Sequence, residues 1–185
     1  MSRFQRVNQW STFSKSWHLY DAKWQNPFQS ARKLTPVLEG KSKPIYSPNV
    51  ECGDHVVIIN SRHISLIGRE WKFRVYFHHP GYNKSFPGGG AQWIPAWQLH
   101  SKDPTLVMWK ACYHNLSGGL QRKSFMAQLH VYPDGIDTVP EEILTSISGQ
   151  IEPVRPIPKK LNEFTTEEIE NFPKFMDFPE EYVIK

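Results

Sequence analysis

Gly53-Asp54-His55-Val56-Val57-Ile58-Ile59-Asn60 joins a turn signal to a run of consecutive apolar residues that stops at a polar one. Neighbouring side chains of a strand point to opposite faces of a sheet, so an unbroken apolar run leaves neither face in water. Such runs are typical of parallel strands that helices cover on both sides. The stretch therefore predicts the central strand of an α/β fold.

The size of the chain, 185 residues, allows one domain with extensions and a substantial core without cross-links. Cys52 and Cys112 are too few for a disulfide scaffold, and we expect both as free thiols in a reducing compartment. No apolar run reaches the roughly 18 residues of a membrane helix, so the sequence predicts no membrane span.

Charge is distributed unevenly along the chain. Residues 1–50 carry eight Lys or Arg and two acidic residues, residues 51–133 carry nine and four, and residues 134–185 carry five and twelve. A basic body with an acidic extension favours a polyanion as partner of the body and a different partner for the extension. Charge alone is equally compatible with an ordinary solvated surface.

The basic N-terminal arm, residues 1–16, has no acidic residue and contains Arg3, Arg6 and Lys15. Its composition is that of a mitochondrial targeting stretch, with an ordinary basic arm as the alternative. The next residues, Trp17–Asp21, alternate large apolar residues with His18 and predict a first strand. A helix is the competing interpretation, because Trp10, Phe13, Trp17, Tyr20 and Trp24 share one helical stripe.

Two Asx-Pro pairs predict the starts of helices. Asn26-Pro27 places a capping residue before a proline, and Phe28, Ala31, Leu34 and Leu38 follow at helical spacing. Pro36 should kink or end this helix near Thr35. Asp103-Pro104 repeats the device before a helix whose inward face would be Leu106, Trp109, Tyr113 and Leu116.

Three further segments complete the predicted body. Residues 71–78 alternate Trp71, Phe73, Val75 and Phe77 with polar residues, which predicts a strand with one polar face. Residues 120–129 predict a helix with Met126 and Leu129 inward, and residues 130–132 predict a last strand. Between them, residues 79–90 form a loop rich in Gly and Pro that offers backbone amides and aromatic rings.

The acidic extension, residues 134–185, is interrupted by prolines and predicts a tail that lies on another surface. Within it, Thr165 and Glu168 have the capping-box spacing of a short helix.

Motifs for catalysis or metal binding are absent from the sequence. The glycine-rich loop matches neither nucleotide-binding fingerprint, and no nucleophile elbow occurs. Cys52 with His55, or His78 with His79, lacks the second ligand pair of a structural zinc site. We therefore expect no catalytic residue, metal or cofactor. The alternative functions are a small nucleotide-binding α/β enzyme and a free-standing RNA-binding regulator of translation.

Six motifs occur in an order that resembles the large-subunit ribosomal protein thirteen family, over about residues 17–133. The later extensions resemble those of the mitochondrial form. The motifs are Trp17-His18-Leu19-Tyr20-Asp21, Gly40-Lys41-Ser42-Lys43-Pro44, Gly53 to Asn60, the Gly68/Trp71 turn, His79-Pro80-Gly81-Tyr82 with Pro87-Gly88-Gly89, and Asp103-Pro104.

This resemblance implies a three-layer α/β/α domain with a small, mainly parallel four-stranded sheet. It also implies binding to ribosomal RNA, a part in large-subunit assembly and a single copy in the mitochondrial ribosome, with neighbouring proteins contacted through the extension. Two loops, at residues 83–86 and 117–119, depart from the family pattern. The predicted RNA-binding residues are Lys41, Lys43, Arg62, His63, Lys72, His79, Gly81, Tyr82, Lys84, Pro87, Gly88, Gly89, Arg122 and Lys123.

Overall fold

A four-stranded parallel sheet lies at the centre of the fold in the computed structural model, which describes Gln9, residues 14–79, residues 90–173 and Met176. A two-stranded antiparallel sheet is separate from it. The strands are β1 (Trp17–Asp21), β2 (His55–Ile59), β3 (Val75–His78), β4 (Gln92–Pro95), β5 (Leu129–Val131) and β6 (Ile147–Ile151). The helices are α1 (Pro27–Glu39), α2 (Glu70–Phe73), α3 (Ala96–Lys102), α4 (Leu106–Asn115), α5 (Arg122–Ala127), α6 (Glu141–Ser146) and α7 (Thr166–Glu170), and 3-10 turns occupy Ser61–His63, Ile136–Thr138 and Leu161–Glu163.

The strand order of the larger sheet is β5-β2-β1-β6, and each neighbouring pair is parallel. Val56 and Ile58 face the larger core, which residues of α1, α4 and α5 complete. Val57 and Ile59 face a second cluster with Val139 and with residues of α6. The central strand is thus covered on both faces, and the predicted three-layer architecture is confirmed.

The first strand is confirmed by its register, in which Trp17 lies beside His55 and Asp21 beside Ile59. The helical alternative for this stretch is wrong. Trp24, which would have lain on the same buried stripe, is 54% exposed. Pairing with two neighbouring strands therefore determines the structure of β1, although residues 17–24 also have a helical spacing of apolar residues.

Trp17 stacks against two histidines on the second face of the sheet, and the two imidazoles also lie against each other. Its ring centre lies 4.1 Å from that of His55 and 5.1 Å from that of His130. Burial lowers the pKa of both imidazoles, and the positive charge of Lys15 and repulsion from His130 lower the pKa of His55 further, against the opposite pull of Asp54. Both rings therefore stay neutral at pH values where unfolded histidine binds a proton.

The free energy of unfolding is accordingly expected to fall as the pH drops below about 6.5, because the unfolded state then binds more protons than the folded one. Urea unfolding between about pH 7.5 and pH 5.5 measures this dependence. A double variant, His55→Gln with His130→Gln, should flatten it, whereas the exposed His114 changed to Gln should leave it intact. An unchanged slope in the double variant would show that these rings titrate normally.

The helix α1 does not end near Thr35, because it continues through Pro36 to Glu39. A kink at this position stays a prediction. Asn26 caps its start as predicted, and its side chain accepts from Phe28 N at 2.9 Å. Near the proline, the Ala31 carbonyl accepts hydrogen bonds from the Thr35 hydroxyl at 2.9 Å and from the Asn115 amide of α4 at 3.2 Å. These two bonds and the buried face of the helix together stabilise the helical turn that precedes the proline.

The predicted strand over residues 71–78 is wrong in its first half and in its buried face. Residues 70–73 form the short helix α2, and only β3 is extended, pairing with β4. Arg74 ends the helix, bonded to Glu70 at 2.9 Å and stacked 3.9 Å over the Phe28 ring. Tyr76 is buried, whereas Val75 and Phe77 are about half exposed. The strand therefore turns toward the core the side that was predicted to be polar.

The helices α4 and α5 are confirmed as elements, with shifted faces and bounds. The deepest residues of α4 are Val107, Met108 and Cys112, whereas the predicted Trp109 is only partly buried. Burial raises the pKa of the Cys112 thiol to about 12. The helix α5 ends at Ala127, and Leu129 belongs to β5. The last strand therefore begins one residue before the predicted start at residue 130.

The extension supplies the strand that residues 71–78 were expected to form. β6 pairs with β1 along its length, with a register shift between Trp17 and His18. The prediction of a tail without a place in the sheet is therefore wrong for residues 147–151. The division of the chain into three regions at residues 16 and 133 stays a prediction.

Both cysteines are free, as predicted, and both are buried. Within residues 14–79 and 90–173, no helix has the length and apolar character to cross a membrane. The same part of the chain holds no group of His, Cys, Asp and Glu able to bind a metal ion.

Candidate nucleic-acid interface

The predicted RNA-binding residues lie at opposite edges of the parallel sheet and on the antiparallel hairpin. Residues that precede β2 and β5 lie at the amino edge, and residues that follow β2 lie at the carboxyl edge. Gly81, Tyr82, Lys84, Pro87, Gly88 and Gly89 lie outside the described residues. The others divide into Lys41, Lys43, Arg122 and Lys123 at the amino edge, Arg62 and His63 at the carboxyl edge, and Lys72 and His79 on the hairpin side.

Lys43 is held inside the chain. Its ammonium group lies 2.5 Å from Asp54 Oδ1 and donates to the carbonyls of Ser14 at 2.8 Å and Cys52 at 2.9 Å. An ammonium group has three N–H donors, so these contacts use all of them. The side chains of Lys43 and Asp54 are only 15% and 5% exposed. Lys43 thus ties the segment before β1 to the turn before β2.

Lys43→Ala is expected to lower the free energy of unfolding by about 2 kcal/mol, because it leaves the buried Asp54 carboxylate without its cation. The exposed Lys123→Ala should change it by less than about 0.5 kcal/mol. Chemical denaturation of both variants compares the two residues. Equal midpoints would mean that the bonds of Lys43 contribute nothing net.

Lys41 is paired but remains half exposed, with its ammonium 2.5 Å from Glu39 Oε2. The hydrogen bond to Glu39 raises the pKa of Lys41. Burial acts to raise the pKa of Glu39, but hydrogen bonds from Lys41 and Ser117 outweigh it and the pKa lies below its ordinary value. This network joins the end of α1 to the end of α4 and leaves the outer side of Lys41 accessible.

Arg122 holds the chain just beyond the end of α4. Its guanidinium donates to the Leu116 carbonyl at 2.9 Å and to the Ser117 carbonyl at 3.2 Å, and lies 4.6 Å from the centre of the Tyr113 ring. Leu116 and Ser117 are the first two residues after the helix, so these bonds fix the turn between α4 and α5. Lys123, next along α5, is exposed as predicted. The amino edge therefore presents Lys123 and the outer side of Lys41.

At the hairpin, Lys72 is exposed on α2, and the His79 ring centre lies 6.3 Å from that of Phe77. Phe77 also packs against Trp93 of β4, with ring centres 5.1 Å apart. Both aromatic residues are about half exposed or more. The hairpin thus presents aromatic faces together with the Lys72 cation, just before and after the glycine-rich loop.

At the carboxyl edge, Arg62 pairs with Asp134 at 3.0 Å and both side chains stay accessible. His63 lines a groove of about 540 Å³ that the sequence did not predict. The remaining walls come from the segment after β1 and from the extension after β6. The basic and aromatic residues among them are Lys23, Trp24, Lys159 and Lys160.

A signal for this groove exists in the sequence, although its meaning depends on the fold. Lys159 and Lys160 are consecutive lysines in a segment where acidic residues predominate. Trp24 was assigned to an apolar stripe, and only its exposure in the folded chain separates it from the core tryptophans. Sequence separation hides the site, because Trp24 and the lysines of the extension lie more than one hundred residues apart.

The body of the chain matches a known protein family. The sequence profile of the family described as Ribosomal protein L13 matches residues 15–137. The chain is 52% identical over 185 residues to Large ribosomal subunit protein uL13m of Drosophila melanogaster, covering 100% of both chains.

Bacterial relatives match a shorter part of the chain. Large ribosomal subunit protein uL13 of Acholeplasma laidlawii is 37% identical over 101 residues, which are 55% of this chain and 68% of that one. The protein of the same name from Methylorubrum extorquens is 35% identical over 118 residues, 64% of this chain and 74% of that one. The chain therefore belongs to the ribosomal protein L13 family.

Proposed function

We propose that this protein is a structural constituent of the large subunit of the mitochondrial ribosome, where it binds ribosomal RNA and supports subunit assembly and translation. The observation that carries the proposal is the full-length alignment with the Drosophila protein, which includes the extension beyond the family match. The basic body supplies the charge that RNA attracts. The protein acts by binding and needs no cofactor.

Co-sedimentation tests this function directly. The endogenous protein, followed by antibody in a sucrose gradient of a mitochondrial lysate, should travel with the large subunit and remain there in high salt. Buried, interlocked contacts hold in salt that removes proteins bound only by surface charge. Release of the protein to the top of the gradient, with the large subunit intact, would contradict the assignment.

The RNA-binding surface that we propose combines the accessible cations of the folded body with the glycine-rich loop. Phosphate contacts position such proteins on RNA, while amides and aromatic rings suit unpaired nucleotides. Lys43 and Arg122 are left out, since their donors serve the fold. The surface consists of Lys41, Arg62, His63, Lys72, His79 and Lys123, with Gly81, Tyr82, Lys84, Pro87, Gly88 and Gly89 from the loop.

Salt dependence measures these contacts. Replacing Lys72, Lys84 and Lys123 together by Ala should weaken binding to an rRNA fragment at low salt, and each lost phosphate contact should reduce the slope of log affinity against log salt by about 0.7 to 0.9. Removal of residues 171–185 is the control, since it leaves these lysines in place. Wild-type affinity and slope in the triple variant would place the RNA surface elsewhere.

The outer side of the extension is proposed to contact neighbouring large-subunit proteins. The helix α7 is acidic, begins with the predicted Thr165 capping box, and leaves Ile169 and the following Phe172 about half exposed. Apolar residues among acids suit a protein surface better than a phosphate chain. The protein would occupy the subunit as a single copy.

A further inference from the structure

Trp24 combines backbone strain with an exposed side chain. Its φ is 59°, in the left-handed region, and its indole is 54% exposed. For a bulky residue this conformation is strained and persists where the surroundings impose it. The Trp24 amide donates to the His63 carbonyl at 2.8 Å, and its carbonyl accepts from the Ser65 hydroxyl at 3.0 Å. The chain thus holds a strained tryptophan outward, where it adds little to the core.

The position of Trp24 is the one where α/β folds bind ligands. The residues that line its groove follow the carboxyl ends of β1, β2 and β6. From β1 the sheet continues to β2 on one side and to β6 on the other, so the strand order reverses there. Ligands of open α/β sheets occupy the crevice outside the carboxyl ends of the strands at such a reversal.

The far wall of the groove is fixed by a buried glutamine. Gln25 is 1% exposed, and its side chain donates to the Arg155 carbonyl at 2.7 Å and accepts from the Arg155 amide at 2.9 Å. Lys33 also donates to the Glu152 carbonyl at 2.6 Å. Pro156 and Pro158 then restrict the backbone of the next residues. The groove is therefore formed before any ligand arrives.

Charge in the groove is predominantly positive. Lys23 and Lys160 are exposed beside Trp24, and Lys159 is bonded to Glu168 at 2.5 Å, which partly neutralises it. Glu163 is the one carboxylate among the residues that line the groove, and it accepts from the Lys160 amide at 3.2 Å. The volume, about 540 Å³, lies within the range of about 300–1,000 Å³ found for small-molecule sites.

We propose that this groove, the Trp24 groove, holds an unstacked nucleotide of a single-stranded RNA segment, with the base on the Trp24 indole and the adjacent phosphates against Lys23 and Lys160. Aromatic faces bind bases of any sequence, and lysines bind the phosphates on either side. An acidic peptide would use the lysines but gain nothing specific from the exposed indole face. The source of the strand, ribosomal RNA, rests on the proposed function.

Binding of labelled ten-nucleotide oligouridine to the full-length protein tests this inference. Loss of one stacked base in Trp24→Gly should weaken binding by roughly five- to 150-fold. Glycine adopts a positive φ without strain, so this variant should fold at least as stably as the wild type. Trp24→Phe should retain most of the affinity, and Trp97→Ala, which removes another exposed tryptophan, should retain all of it.

Two chemical controls separate the base from the phosphates. An abasic oligomer of equal length should bind about as weakly to the wild type as oligouridine binds to Trp24→Gly. Oligouridine carrying 5-bromouracil should form an ultraviolet cross-link whose mass-mapped peptide contains Trp24. Equal binding of abasic and normal oligomers, a cross-link confined to other peptides, or undiminished binding by Trp24→Gly would each overturn the inference.

Competition separates the RNA from other ligands. If uridine monophosphate displaces the oligomer at the same concentration as unlabelled oligouridine, the groove takes free nucleotides and the RNA assignment is overturned. Equal displacement by an Asp/Glu peptide of matched charge would overturn it in favour of an acidic protein. Wild-type protein that sediments with the large subunit but fails these tests refutes the groove alone, whereas loss of sedimentation refutes the proposed function.

Discussion

Gly53→Ala is expected to lower the free energy of unfolding by more than about 4 kcal/mol, a loss that is exceptional for one methyl group. A Cβ at this position would lie 1.8 Å from the Leu38 carbonyl oxygen and 2.6 Å from Gln128 Oε1. The backbone has little room to move, because the next amide, of Asp54, donates to the Val37 carbonyl at 3.1 Å. This close approach docks the end of α1 against the start of β2.

Gly90→Ala is the matched control, since no heavy atom lies within 4 Å of its added Cβ and its φ is not in the left-handed region. Denaturant unfolding of the two variants, or their soluble yield where the first fails to fold, compares a crowded with an open glycine. Similar stability of both would mean that α1 can shift away from β2 at little cost.

Ile58→Ala is expected to destabilise the domain by about 2–5 kcal/mol, the range for truncating a fully buried aliphatic side chain. Ile58 is 0% exposed and faces the larger core, and its strand has a neighbour on each side. The cavity cannot collapse easily because the strand is held by both neighbours.

Ile67→Ala provides the comparison, because the same atoms are removed from a residue that is 56% exposed. Its expected effect is below about 0.5 kcal/mol. Both values follow from urea titrations at one pH. An Ile58→Ala loss no larger than that of Ile67→Ala would show that the core around β2 rearranges freely.

Local signals decided the elements that were predicted correctly. The Asn26-Pro27 pair starts α1 where expected, because the cap and the proline act within one turn. Pro36 misled as a helix end because its cost is local, while the burial of Leu34 and Leu38 that offsets it depends on the rest of the fold. The alternation at residues 71–78 misled because half-buried short segments satisfy a period of two by chance.

The sequence shows which candidate site residues are basic, but it does not show whether their side chains are free to bind a ligand. Lys43 and Lys123 are alike in the sequence, yet one ammonium is enclosed by three acceptors and the other is exposed. Arg122 is likewise occupied by the turn after α4. Such differences depend on which carbonyls and carboxylates the fold brings near each cation.

Sequence patterns were sufficient to locate the centre of the protein and to indicate its family. The run from Val56 to Ile59 requires cover on both faces, because each residue is apolar and neighbours point in opposite directions. The pairing of β6 in the sheet and the position of Trp24 in a basic groove became apparent only in the folded chain. These features depend on contacts such as Gln25 with Arg155, separated by 130 residues, whose free energy no local window of sequence contains.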